Sequence, residues 1–475
     1  MKFIKFFKKL ILYLIILLLI SGSILVFVDS KKNNFAKYIK DNTPYEIKFL
    51  LSNTVFYIPK HLREFNQLKD QVNVLNRDLF SLNLKNNLNE NLLSQGKKET
   101  KIILSKNNQQ YALTKYTLPF SDSKNLLKNK NKTGYLDIIN DSLVVVFTSG
   151  KIISIDKNKL IHGNFFYKEI SNNLDDFLTA DELRWTGVRG IKINNNEIYL
   201  SFTNLVENTS DCYNILILKS VFKTDGINFN KLFDNSECIE SSGKENINPG
   251  FKNFNGYQTG GRITFLEKDK IIYSVGDFND FRKPQDINSS FGKIIEYNII
   301  DKNFFIRSLG HRNPQGLYFE KDKNFIIATE HGPKGGDEIN IFSIDEGIVN
   351  FGYPISSYGE HYDSVPLNWK TKKIAPLYKN HFQYGFREPI LVFTPSIGIS
   401  HIIKNNFNKD NYYYVTSLKD KTIYEIELNK NFDKANITDQ INIGERIRDI
   451  VYDNELKIYY IYLEDSPAIG ILSLK

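Results

Sequence analysis

Residues 141–156 read DSLVVVFTSGKIISID and residues 412–428 read YYYVTSLKDKTIYEIEL. In each, a short run of β-branched and aromatic residues meets a polar turn and a second such run follows, which is the pattern of a β-hairpin. Similar runs recur at Ile198–Thr203, Ile215–Leu218, Ile271–Val275, Ile294–Tyr297, Phe325–Thr329 and Ile458–Tyr462, each bounded by Asn, Asp, Gly or Lys clusters. No segment past residue 101 carries a long helical stripe. Evenly spaced short antiparallel strands over ~375 residues predict an all-β propeller, because one sandwich would not use them all. Six blades of about 60 residues fit that length, and the arithmetic alone leaves seven open.

The chain has 475 residues, 41% of them hydrophobic and 13% aromatic, enough for a full core without disulfides or metals. Its net charge is 62 − 54 = +8, and Lys2, Lys5, Lys8 and Lys9 supply four of those charges. The remainder is close to balanced, which argues against a nucleic-acid partner held by bulk charge. Two cysteines, Cys212 and Cys238, rule out a disulfide scaffold, and no C-x-x-C pair suggests zinc.

Behind the four lysines, Leu10 to Val28 carries no charge and is long enough to cross a hydrocarbon core of roughly 30 Å. A cleaved signal peptide is the alternative, but the apolar run exceeds the usual h-region and no A-x-A site follows. The expectation is a single-pass anchor in a bacterial inner membrane, residues 1–29, with the rest of the chain in the periplasm. In an oxidising compartment Cys212 and Cys238 either staple one loop or remain two thiols. Leu68, Val72, Leu75, Leu79 and Leu82 alternate spacings of four and three, so residues 30–100 are expected to form a helical stalk and linker. That stalk could pair two copies into a homodimer, and the propeller is expected over 101–475.

Three stretches are too polar and too glycine-rich to be mere connections: Gly310-His311-Arg312-Asn313-Pro314-Gln315-Gly316, the run Glu330–Asn340 (EHGPKGGDEIN), and Glu445-Arg446-Ile447-Arg448-Asp449. Arg446 and Arg448, two apart on a strand, project from one face and suit a polyanionic ligand that their forks can grip. Gly332-Pro333 leaves backbone carbonyls for a hard cation such as calcium.

Together with NFGYP (350–354), SLKD (417–420), GGRITF (260–265) and SFGKIIEYN (290–298), these motifs resemble, in order, the soluble quinoprotein glucose/sorbosone dehydrogenases, with the flavour of bacterial aldose sugar dehydrogenases. The resemblance covers roughly residues 140–475. It implies a six-bladed propeller carrying pyrroloquinoline quinone and calcium at one end of a central channel, and an aldose sugar as substrate. By this resemblance Arg312 and Asn313 contact the quinone oxygens, while Lys419, Arg446 and Arg448 hold the cofactor's carboxylates and quinone edge. Gly332 and Pro333 would bind the cofactor's calcium through their carbonyls, and Glu338 with the carbonyl of Phe351 a second, structural calcium. The family's electron acceptor is not named by any of these residues.

Two positions depart from the family pattern. Where its catalytic histidine stands, four residues before Arg262, this chain has Gln258, and an amide cannot accept a proton at neutral pH. Where it has a cofactor-contacting glutamine, this chain has Trp185, which either stacks on the planar cofactor or fills its space. His331 is a substitute candidate for the base. Two functions follow: an active sugar dehydrogenase passing a hydride from the C1 hydroxyl carbon to the quinone, or a propeller that lost the oxidation and binds a glycan or protein. A hydrolase or nucleotide enzyme is not supported, for there is no G-x-S-x-G elbow, no H-E-x-x-H helix and no P-loop.

Overall fold

A computed structural model describes residues 98–475 apart from 119–131, 179–184, 208, 210, 235–236, 242–253, 364–368 and 409. The expected anchor and all but the last residues of the expected stalk lie outside the described residues. Among the described residues no helix is long and apolar enough to cross a membrane.

The hairpins of residues 141–156 and 412–428 form as expected, and they belong to six antiparallel sheets. Blade one comprises Gly134–Ile139, Ser142–Phe147, Ile152–Asp156 and Tyr167–Ile170. Blade two comprises Gly187–Asn194, Glu197–Leu205, Cys212–Val221 and Asn230–Asp234. Blade three comprises Gly260–Glu267, Lys270–Val275, Lys293–Asn298 and Asn303–Leu309, with Val349–Asn350 added in parallel. Blade four comprises Pro314–Glu320, Phe325–Glu330, Asp337–Ser343 and Leu391–Phe393. Blade five comprises Ile399–Lys404, Tyr412–Ser417, Thr422–Leu428 and Ala435–Asn442. Blade six takes Ile447–Asp453, Ile458–Leu463 and Ala468–Leu474 from the C-terminal end, and Gln110–Thr117 and Lys98–Leu104 from the other end of the described chain. The pairing of Gln110–Thr117 with Ala468–Leu474 closes the ring, and it settles the blade number at six.

The apolar runs are continuous rather than alternating because each blade is covered on both faces. Leu143, Val145 and Phe147 pack with Tyr460 and Tyr462 of blade six, while Val144 and Val146 pack with Val188 and Leu200 of blade two. Tyr413 and Val415 likewise face blade four, and Tyr414 faces blade six. Six such clusters, one per blade interface, make up the core.

The first strand of each blade lines the centre, and buried polar groups tie these strands together. Arg262 of blade three donates Nη1 to Asp449 Oδ1 of blade six at 2.8 Å, spanning opposite blades, with both side chains buried. Arg262 Nε also reaches the Gln315 carbonyl of blade four, and the guanidinium lies over the Tyr135 ring of blade one. Asp449 Oδ2 accepts the Leu136 N–H of blade one. Asp137 does the same for blade two, accepting the Ile193 N–H.

Cys212 and Cys238 form a disulfide, which decides between the two alternatives left by the sequence. It fixes the outer part of blade two beside Glu237, whose carboxylate accepts the Ser290 N–H and pairs with Lys283 on a loop of blade three.

Breaking one partner of a buried ion pair leaves an uncompensated charge. Arg262→Met is therefore expected to lose about 3–5 kcal/mol of stability in urea unfolding; an unchanged midpoint would show that the pair contributes nothing net. The double variant Cys212→Ser/Cys238→Ser is expected to lose about 2–4 kcal/mol, since it frees a loop in the unfolded chain. Equal unfolding curves for the oxidised parent and the variant would contradict this.

Candidate functional site

In every blade the loop between the second and third strands, and the segment leading into the first strand, lie at the same end of the ring. Trp185, Gln258, Arg312, Asn313, Arg446 and Arg448 all sit at or just before first strands, while Gly332, Pro333 and Lys419 sit in second-to-third loops. The topology thus brings these residues to one face, which we term the upper face.

Four guanidinium groups gather there. Arg446 Nε and Arg448 Nε pair with the two oxygens of Glu464, at 3.2 Å and 2.6 Å, so the two arginines do project from one face. Arg448 Nη1 also donates to Gln315 Oε1, and Gln315 Nε2 donates to Asn313 Oδ1. The Asn313 oxygen further accepts the Gly260 N–H, so this residue locks blade three to blade four. Arg189 stands close enough to Arg448 to feel its charge; its guanidinium is held by Thr203 and by the carbonyls of Trp185 and Gly256. Arg312, Arg446 and Arg448 all bear on His331, whose imidazole is held neutral first by burial and then by their repulsion, against the opposing Asp337. Lys419 is exposed at its turn, with its backbone N–H on the Ile397 carbonyl.

Arg312 is the hinge of the site. Its Nη1 donates to the carbonyls of His331 and Gly332, at 3.1 Å and 2.8 Å, and the Tyr362 ring covers it at 5.8 Å. Burial disfavours its charge, but Tyr353, Asp277 and Tyr362 outweigh that. With the Gln258 amide turned to satisfy its neighbours, its oxygen accepts from Arg312 Nη2 at 3.1 Å and from Asn255 Nδ2 at 3.0 Å, and its nitrogen donates to Asp277 Oδ1 at 3.0 Å. Backbone bonds from Asp277 N to the Arg312 carbonyl and from Phe278 N to the Gln258 carbonyl fix this arrangement. A side chain at Gly276 would meet the Gln258 carbonyl oxygen at 2.1 Å, so only glycine lets these segments close. The loop after Asp277 is pinned from beneath by Lys293, whose Nζ donates to the carbonyls of Lys283, Pro284 and Phe291.

The metal-binding expectations fare unevenly. The Gly332 carbonyl takes Arg312 and the Pro333 carbonyl takes the Gly336 N–H, and each oxygen keeps a second lone pair for a cation. Glu338 is buried, with His381 Nε2 at 3.6 Å from its Oε1. The same imidazole also bears on the Phe351 carbonyl, so it neighbours both donors expected of the second calcium. Among the described residues no cluster of three or more His, Cys, Asp or Glu is arranged to hold a metal. Trp185 packs edge-on to Phe254 and Tyr257, with ring centroids at 5.4 Å and 5.1 Å, which makes it part of the wall between blades two and three.

Asp277, Tyr353, Arg189, Gln315 and Glu464 were not singled out from the sequence. Asp277 follows the strand Lys270–Val275 and a glycine, the position from which other blades also send residues to the upper face. That regularity becomes readable only once the blades are counted.

The family model described as glucose / sorbosone dehydrogenase matches residues 193–470, more than half of the chain. Aldose sugar dehydrogenase YliI of Escherichia coli (strain K12) is 29% identical over 214 residues, covering 41% of this chain and 54% of that protein. The chain thus spans about half the length of the curated relatives it matches. Among solved structures, the apo form of the soluble aldose sugar dehydrogenase from Escherichia coli aligns with a TM-score of 0.58 at 19% identity, over 80% of this chain and 100% of that one. The PQQ-bound form of aldose sugar dehydrogenase from Streptomyces coelicolor aligns with a TM-score of 0.53 at 17% identity, over 80% and 99%. These last two likenesses concern the fold, whereas the family match rests on sequence over the propeller that carries the site: the chain belongs to the glucose/sorbosone dehydrogenase family.

Proposed function

We propose that this chain is a pyrroloquinoline-quinone-dependent aldose dehydrogenase, working at the extracytoplasmic face of a membrane. The observation that carries this reading is the gathering of Arg189, Arg312, Arg446 and Arg448 on the upper face, with Glu464 shared between two of them. So much positive charge in one place is costly unless an anion joins it, and a planar quinone bearing several carboxylates fits that donor set. In this reading Arg446, Arg448 and Lys419 hold the carboxylates, and Arg312 and Asn313 face the quinone oxygens. The carbonyls of Gly332 and Pro333 would serve the accompanying calcium. At the Glu338–Phe351 pair a cation would share both donors with the neighbouring His381 imidazole. When bound, the quinone supplies an electrophilic carbon that accepts a hydride. The chain's own part is to place the sugar against it, keep Arg312 charged where negative charge develops, and receive the hydroxyl proton.

The second reading, a propeller that binds a glycan or protein without oxidising it, is favoured by one observation, the glutamine at position 258. Trp185 gives it no weight, since the indole packs in the blade wall.

Full-length protein incubated with pyrroloquinoline quinone and calcium is expected to reduce an artificial dye in the presence of at least one member of an aldose panel. Quinone bound with no aldose oxidised would instead favour the binding reading. A charge-assisted hydrogen bond of about 1.5–3 kcal/mol corresponds to about 10–150-fold in affinity. Arg448→Met is therefore expected to raise the quinone concentration needed for half-reconstitution about 10–150-fold. An unchanged requirement would remove Arg448 from the cofactor's cage.

A further inference from the structure

Taking both a hydride and a proton from a sugar C1–OH group requires a proton acceptor, and at the expected position stands an amide. The other nearby candidate, His331, belongs to the Gly332–Pro333 loop expected to hold the calcium, and its carbonyl is taken by Arg312 Nη1. His401 lies deeper, 3.8 Å from Asp449 in the central tie between blades, and does not reach the upper face.

A carboxyl lies directly behind Gln258. Asp277 is fully buried, and its Oδ1 accepts the Asn279 N–H at 2.9 Å and the turned Gln258 amide at 3.0 Å. Its Oδ2 makes no hydrogen bond of normal geometry, and the Tyr353 hydroxyl is the nearest group that bears on it. Of the pair, Gln258 is 8% exposed and Asp277 0%, so a ligand approaching from solvent meets the amide first. An alcohol O–H can donate to a carboxylate as an amide N–H does, and the rotation of one glutamine side chain would exchange them.

We propose that Asp277 is the proton acceptor of this chain, with the substrate C1 hydroxyl taking the place of the Gln258 amide as donor to its carboxylate. This assignment rests on the sugar-oxidising reading above. The O–H bond of C1 breaks and its proton forms a new bond to an Asp277 oxygen. The C1 hydrogen leaves with two electrons as hydride to the quinone, and C1 becomes a carbonyl. The sugar is oxidised by two electrons, the quinone is reduced by two, and the carboxyl afterwards returns its proton to solvent.

The surroundings suit the role. Burial pushes the Asp277 carboxyl up to about 7, Arg312, the Asn279 N–H and Tyr353 opposing it and Asp280 adding to it. A carboxylate titrating near neutrality is a far stronger base than an ordinary one. The reactive form is the ionised one, so it is present above that pH and lost as the pH falls through it.

The test uses the full-length protein and its Asp277→Asn variant, with three readouts. Calorimetric titration with pyrroloquinoline quinone is expected to give affinities within a few-fold of each other. Cofactor reduction by sugar is expected to slow by about 10²–10⁴-fold in the variant, the range typical of a lost general base. Infrared pH titration of the cofactor-free proteins is expected to show a buried carboxyl protonating near neutrality that the variant lacks. Wild-type rates in the variant with quinone bound would overturn the assignment while leaving the dehydrogenase reading intact. If the parent binds no quinone, it is the dehydrogenase reading that fails. The infrared titration still judges Asp277, and the absence of the near-neutral carboxyl overturns its part. Should Asp277→Asn not fold, Asp277→Glu is expected to move the acidic limb of the pH–rate profile, and an unmoved limb overturns the assignment.

Discussion

The ring is held at its centre by one buried ion pair. Arg262 and Asp449 come from opposite blades, and through their remaining hydrogen bonds they also reach blades one and four. A six-fold ring of sheets needs no such tie for its hydrophobic interfaces, each of which buries its own cluster. It does need something to fill and register the axis, where first strands converge with their polar edges inward. Both partners are desolvated, so each depends on the other, and the geometry admits little slack. Arg262 sits four residues after Gln258 and Asp449 one residue after Arg448, so the strands that the pair fixes are those that present the site.

Above this tie the upper face is a field of positive charge with few counterions. Glu464 serves two arginines, Asn313 and Gln315 serve the framework, and Arg312 leans on backbone carbonyls and on Asp277. The same face is reinforced from outside, by Lys293 under the loop after Asp277 and by Glu237 beside the Cys212–Cys238 bridge. Rigid support beneath and an excess of positive charge above is the arrangement expected where a polyanion is to be held in one orientation.

Much of this was readable in the chain. The strand pattern of residues 141–156 and 412–428 carried the all-β propeller, because both-face burial writes continuous apolar runs between polar turns. The blade number needed the closure by Gln110–Thr117, a pairing across most of the sequence that no local pattern reveals. The arginines were legible as residue types at suitable spacing, and Arg446 and Arg448 do share a face and a partner. Asp277 was not legible, since a lone aspartate after a strand reads as a turn; its meaning comes from the burial and from the amide across it. Trp185 was legible as an anomaly but ambiguous in direction, and only its packing on Phe254 and Tyr257 places it in the wall. His381 beside Glu338 and Phe351 joins residues thirty and more apart in sequence, which spacing alone cannot relate.

The account stands or falls on whether the upper face takes a polyanionic quinone. Calorimetric titration of the full-length protein with pyrroloquinoline quinone in calcium, at low and at high salt, measures this directly. Saturable one-to-one binding that weakens as salt rises is the predicted result, since the cage acts through charge. No heat of binding at either salt concentration would contradict the account and leave the arginines to some other anion.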